Sequence, residues 1–281
     1  MPGLAAPVCL LAASIGMAVM FASRPAPAPG ADGFHETGRI VASVGSPRRP
    51  PPASALPVYY ERPAELDLSR QGTGFVIAPQ GVWATAAHVT DRCGTIRFLV
   101  DQRTTPPVAT PAVPLGQDIS LITGGIRSPM ALSLSGDAPR AGAVGYHMGF
   151  PMGTPGLIGS RLLGRTSAVR HGGQTDAVLA WVEDGSAKNG ITELDGLSGG
   201  PVLDDRGQVV GIVSMASERR GRILTAMPAP VRRWLAAQPA QPDAHFTGPI
   251  ANRSAALSFF QFLINNGFIR QLYCDVAPRY G

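Results

Sequence analysis

Lysine is almost missing from this chain: of 24 basic residues only Lys188 is a lysine, and the arginines are scattered along the sequence. A net charge of +5 spread in this way points to codon usage and not to the clustered positive face that nucleic acid requires. The longest basic cluster, Arg219, Arg220 and Arg222, sits beside Gly221 and is expected to be a solvated hairpin tip. Charge of either sign is scarce, at 15% of residues, which disfavours long surface helices. Cysteine is scarce too. Neither Cys93 nor Cys274 has a second Cys or His at zinc-type spacing, so neither is expected to hold metal. His35, His147, His171 and His245 form no ligand spacing and are assigned surface or packing roles. No internal repeat is found.

What the chain does contain is Gly (34) and Pro (27) in abundance, the composition of many short strands joined by turns. Residues 3–22 are apolar and uncharged, long enough for a signal-peptide core or a marginal membrane span. Export to the periplasm or the extracellular space is the expectation, with membrane attachment through this segment left open. No basic residue precedes the span, and Arg24, Arg39, Arg48 and Arg49 follow it, which opposes the usual orientation. The domain reading is a leader or anchor over 1–23, a Pro/Ala-rich linker over 24–58, one globular domain over 59–237 and a helical tail over 238–281. Within the linker, residues 39–43 are an apolar island that could form an edge strand. In an oxidising compartment Cys93 and Cys274 could pair and tie the tail to the first half of the domain; two free thiols are the alternative.

Short β-branched and alternating segments fall into two series. The first comprises residues 74–78, 82–85, 95–100 and 119–123. The second comprises 143–148, 157–169, 177–182, 201–203, 208–215 and 222–226. Closed barrels bury such strands without exposed edges. Residues 230–237 are expected to be helical, with Pro230 in the first turn and Pro239 beyond the end, and residues 254–264 form a second short helix.

Three segments carry chemistry. Asp195-Gly196-Leu197-Ser198-Gly199-Gly200-Pro201 surrounds a serine with glycines, so that its hydroxyl can be exposed while the Gly196 and Ser198 amides face a developing oxyanion. Thr85-Ala86-Ala87-His88-Val89 follows a strand whose front end is Gly72-Thr73-Gly74-Phe75. Gln117-Asp118-Ile119-Ser120-Leu121-Ile122 opens an apolar strand with a carboxylate, costly to bury unless a cationic or hydrogen-bonding partner meets it.

Together these segments resemble the His, Asp and Ser motifs of trypsin-like serine peptidases, in particular the bacterial HtrA-type (Deg) proteases. Their order and their spacings of 30 and 80 residues are similar to that branch, and Gly149-Phe150-Pro151-Met152-Gly153 resembles one of its turns. The resemblance spans residues 70–237. It implies an all-β, chymotrypsin-like fold of two six-stranded antiparallel β-barrels, here with short C-terminal helices. It also implies an endopeptidase with Ser198 as nucleophile, His88 as base, Asp118 as orienting acid and the Gly196 and Ser198 amides as oxyanion hole. No cofactor is expected. Partners would be protein or peptide substrates, the substrate backbone pairing along Ser214-Met215-Ala216. Thr192 lies where a charged specificity residue stands in trypsin, so small or medium apolar P1 side chains are expected; neighbouring Glu193 is expected to be solvated.

Departures from the family limit the transfer. Leu197 precedes the serine, so the ion pair that activates digestive proteases cannot form, and Arg39-Ile40-Val41 is not expected to be an activation site. The 44 residues after Ala237 are too few for the PDZ domain usual in HtrA-type proteases. Gly196-x-Ser198-x-Gly200 also fits the α/β-hydrolase elbow, but there the histidine follows the serine, and Pro201 would spoil the helix that should start after it. The rival from another class is a catalytically silent double barrel retained for binding peptides.

Overall fold

The computed structural model describes residues 59–60, 70–100, 103–108, 112–170, 173–184, 194–217, 221–239 and 244–276. The expected leader, the linker with its apolar island, and Thr192, Glu193, His35 and His171 lie outside the described residues. In chain order the first half comprises β1 (Tyr59–Tyr60), β2 (Arg70–Ala78), β3 (Val82–Ala86), α1 (Ala87–Thr90), β4 (Cys93–Val100), β5 (Arg103–Thr104), β6 (Val113–Gly116), β7 (Ile119–Ile122) and β8 (Ala131–Leu132). Next come β9 (Val144–Gly149), β10 (Gly156–Val169), β11 (Thr175–Glu183), β12 (Pro201–Leu203), β13 (Val209–Ser217) and β14 (Arg222–Ala226). The chain continues with α2 (Ala229–Ala236), β15 (His245–Phe246), α3 (Arg253–Asn265) and β16 (Ile269–Val276).

The second β unit closes on itself. Its strands run β10-β11-β14-β13-β12-β9, and β9 pairs back onto β10, giving a closed six-stranded antiparallel barrel. The short β1 adds to β10 in parallel. Inside, Leu162, Leu179, Trp181, Val202, Val213 and Ile223 pack as one cluster. Each such side chain contributes about 1.5–3 kcal/mol by leaving water.

The first β unit is built differently. Its order is β5-β4-β16-β2-β3-β7-β6, so the C-terminal strand β16 lies between β4 and β2. Leu272 stands opposite Gly72 on one side and Phe98 on the other. Trp83 and Phe98 meet in its core with ring centroids 4.7 Å apart. The expectation of a helical tail over 238–281 is therefore corrected: α3 is present, but the chain after it returns as a central strand. The physical reason is that β4 and β2 each have an edge that would otherwise be unpaired, and Ile269, Gln271 and Leu272 are all buried when the strand fills that gap. A disulfide joins Cys93 on β4 to Cys274 on β16, with Cα atoms 5.3 Å apart. No described helix is long and apolar enough to cross a membrane.

Candidate active site

His88 lies in the single turn of α1, directly after β3. Asp118 lies in the turn between β6 and β7, where Gly116, Gln117 and Asp118 all have positive φ, at 79°, 52° and 59°. For a non-glycine residue that conformation is uncommon, though Asp is among the side chains that tolerate it. It turns the carboxylate towards α1. The Ala87 amide donates to the Asp118 carbonyl at 3.0 Å, and the His88 amide donates to Asp118 Oδ1 at 3.0 Å. The His88 ring Nδ1 stands 2.8 Å from Asp118 Oδ2. The acid is only 2% exposed and the imidazole 28%, so the pair is dry on the carboxylate side and open on the ring side.

Two further groups reach the same carboxylate from the second barrel. The Ser214 hydroxyl on β13 donates to Asp118 Oδ2. The Arg170 guanidinium, just past β10, forms an ion pair with Asp118 Oδ1 at 3.2 Å. Three separate segments thus converge on one buried acid.

Ser198 sits in the turn before β12. Its carbonyl accepts from the Thr73 amide of β2 at 2.8 Å. Gly72 measures how close the two halves come: a Cβ there would lie 2.6 Å from Val89 Cγ1, next to His88, and 3.1 Å from the Ser198 carbonyl oxygen. Gly199, with φ 85°, likewise has no room for a side chain against Thr85 and the Thr73 backbone. The amides of this turn are divided in use. Those of Leu197, Gly199 and Gly200 donate to Leu194, Val213 and Leu197 carbonyls. Among the described residues, no acceptor is recorded for the amides of Gly196 and Ser198, the two expected to face an oxyanion.

Thr73, fully buried, fastens this turn to the first β unit. Its hydroxyl donates to the Gly196 carbonyl at 2.7 Å and accepts from the Phe150 amide at 3.1 Å. Its own carbonyl accepts from the Thr85 hydroxyl at 2.8 Å. On the far side the Met152 amide donates to the Asp195 carbonyl at 2.7 Å, so the Phe150-Pro151-Met152 turn braces the glycine-rich loop.

Along β13, pairing with β12 ends at Ile212, while pairing with β14 continues to Ser217. From Ser214 onwards one edge of the strand therefore has no described strand beside it. Met215 and Ala216 pack against two different core clusters, as alternation requires.

A model of the trypsin-like peptidase domain matches residues 72–212. The chain belongs to the trypsin-like peptidase family. This peptidase is accordingly a serine endopeptidase, a hydrolase, on a mostly β fold whose closed six-stranded barrel is consistent with the chymotrypsin-like double barrel. Among solved structures it is similar to the active form of the Rv3671c protease from M. tuberculosis, with 22% identity, 71% of this chain and 97% of that one covered, and a TM-score of 0.49. The inactive form of that protease gives 21% identity, 66% and 100% coverage and 0.48. The HtrA-type protease AlgW with tripeptide gives 18% identity, 59% and 55% coverage and 0.43. No curated protein matches the peptidase.

Several site features escaped the sequence reading. Ser214, expected to pair substrate backbone, also has its hydroxyl engaged by Asp118, a contact with no signal in the sequence. Thr73 stands in the strand that leads to His88 with nothing to mark its hydroxyl, and Arg170 belongs to no motif. The only available signal for Arg170 was an arginine and Asp176 flanking a glycine-containing turn between two strand-like runs.

Proposed function

We propose that the peptidase cleaves peptide bonds through a triad of Ser198, His88 and Asp118 and an acyl-enzyme intermediate. The observation that carries this reading is the contact of His88 Nδ1 with the buried Asp118 carboxylate. With Nδ1–H donated to Asp118, the lone pair of the imidazole is on Nε2, the tautomer a general base needs. Ser198 Oγ attacks the scissile carbonyl while His88 takes its proton. Asp118 stabilises the resulting imidazolium. The amides of Gly196 and Ser198 receive the oxyanion, and removal of one such donor typically costs roughly 10²–10³ in kcat. His88 then protonates the leaving amine, and water, deprotonated by the same ring, releases the acyl group from Ser198.

The open edge of β13 beyond Ser214 supports substrate recognition by strand addition, with Met215 and Ala216 lending backbone groups. Substrates are peptides or exposed protein segments in extended form. The Cys93–Cys274 disulfide supports an exported, periplasmic or extracellular location, because such bonds persist in oxidising compartments.

A fluorophosphonate probe tests the reading. Wild-type protein becomes labelled and cleaves a peptide library, and Ser198→Ala does neither. Wild-type protein that resists the probe beside an active control protease would favour a peptide-binding module without turnover.

A further inference from the structure

Arg170 is tied to two carboxylates at once. Its Nε donates to Asp176 Oδ2 of β11 at 2.6 Å, and one terminal nitrogen pairs with Asp118 Oδ1 at 3.2 Å. Both acids are nearly buried, with side chains 8% and 2% exposed, and the guanidinium itself is only 20% exposed. Its backbone is held as well, the Arg170 amide donating to the Gln174 carbonyl at 2.8 Å across the β10–β11 turn. Gln174 Nε2 in turn reaches Asp176 Oδ1 at 3.4 Å. A planar guanidinium can bridge two acids in fixed directions, which an ammonium cannot do.

We propose that Arg170 is a positioning residue for the triad: clamped by Asp176, it holds Oδ1 of Asp118 so that Oδ2 faces His88, and its charge opposes protonation of the imidazole. This rests on the triad reading above. The charges make the reasoning explicit. Asp118 and Asp176 carry two negative charges and Arg170 one positive, so the cluster holds a single net negative charge for an imidazolium to neutralise. Removing Arg170 doubles that negative charge and favours imidazolium. Removing the charge of Asp176 leaves Arg170 and Asp118 balanced and disfavours it. The two substitutions must therefore move His88 in opposite directions. A purely structural role would weaken packing in both cases with no such opposition.

The other charged groups around His88 are common to all variants and cancel in the comparison. Arg70 of β2 donates to the His88 carbonyl at 2.9 Å. Asp91 and Arg92, following α1, pair with each other at 3.5 Å and are largely solvated. Ser214 of β13 is uncharged.

The test is an NMR pH titration of the His88 Hε1 resonance in the Ser198→Ala protein, where autolysis cannot interfere, with the signal assigned by its loss in His88→Gln. Arg170→Met is expected to raise the midpoint by about one pH unit, and Asp176→Asn to lower it by a similar amount. Arg170→Lys is expected to fall between Arg170→Met and the parent. With Ser198 restored, the acidic limb of kcat/KM should follow the same directions, and Arg170→Met should lose roughly tenfold in kcat through misplacement of the ring. Midpoints unchanged from the parent, or both moving the same way, would overturn the proposal. If Arg170→Met fails to fold, the downward movement in Asp176→Asn decides alone. Failure of the triad reading is a separate result: protein with Ser198 intact would show no turnover, while the titration would still report on Arg170.

Discussion

The two β units solve the same problem with different resources. The second closes within one continuous stretch, from β9 to β14, and its last pairing returns to its first strand. The first cannot be completed from its own stretch of chain and takes β16 from beyond two helices, then adds a disulfide across the join. The difference teaches where the site is vulnerable. His88 and Asp118 lie on the unit with the borrowed strand, whereas Ser198, Ser214 and Arg170 lie on the unit that closes itself. Local contacts favour fast, independent formation, while pairings distant in sequence must first overcome loop-closure entropy.

Ending the chain after Gly267 is the strongest way to break the comparison. Without β16, β2 and β4 lose their common neighbour, and activity is expected to be abolished. Hydrogen exchange followed by mass spectrometry should show protection lost over residues 70–122 and largely kept over 144–226. Equal loss in both stretches would mean that the second barrel is not self-sufficient.

A smaller effect is expected from Cys274→Ser or from reduction. The bond closes a loop with a sequence separation of 181 residues, and cross-links of long loops typically contribute about 3–5 kcal/mol. Urea unfolding with and without reductant should show that loss, and Cys274→Ser should be insensitive to reductant.

The second barrel has its own weak point, and it sharpens the contrast. His147 is fully buried, with Nε2 2.6 Å from the Ser160 hydroxyl and its ring edge-on to Trp181. Burial pushes its pKa down from 6.5 to about 3. The folded value lies below the unfolded one, so the unfolded chain takes up the proton first. Stability is therefore full above about pH 6.5 and falls as the pH drops towards 3, by about 1.4 kcal/mol per pH unit at most. By pH 4.5 the loss from this residue should reach about 2–3 kcal/mol. Urea denaturation across this range should show a shallower decline for His147→Gln than for the wild type.

Much of this architecture was legible from the residues. Strands such as Pro201–Leu203 and Arg222–Ala226 stood out because turn residues bracket short β-branched runs. The helices over 229–236 and 253–265 followed from proline placement and from length. Ser198, His88 and Asp118 were visible because each sits in a local pattern of small or apolar neighbours. What stayed hidden depends on partners far along the chain. β16 alternates imperfectly, and nothing in Ile269–Val276 announces that its neighbours are Gly72 and Phe98. Thr73 and Arg170 are ordinary residues made important by contacts 123 and 52 positions away, to Gly196 and Asp118. Ser214 was picked out, but for its backbone and not for its hydroxyl.

The place of β16 also sets a timetable. Gln71 and Gln271 are hydrogen-bonded neighbours yet stand 200 residues apart, so the ribosome delivers one long after the other. At translation rates of about 5–20 residues per second, β2 waits on the order of ten seconds or more for its partner. Throughout that interval the strand bearing Thr73 lacks its neighbour, and so the chain that makes this protease carries no finished blade while it is still being made.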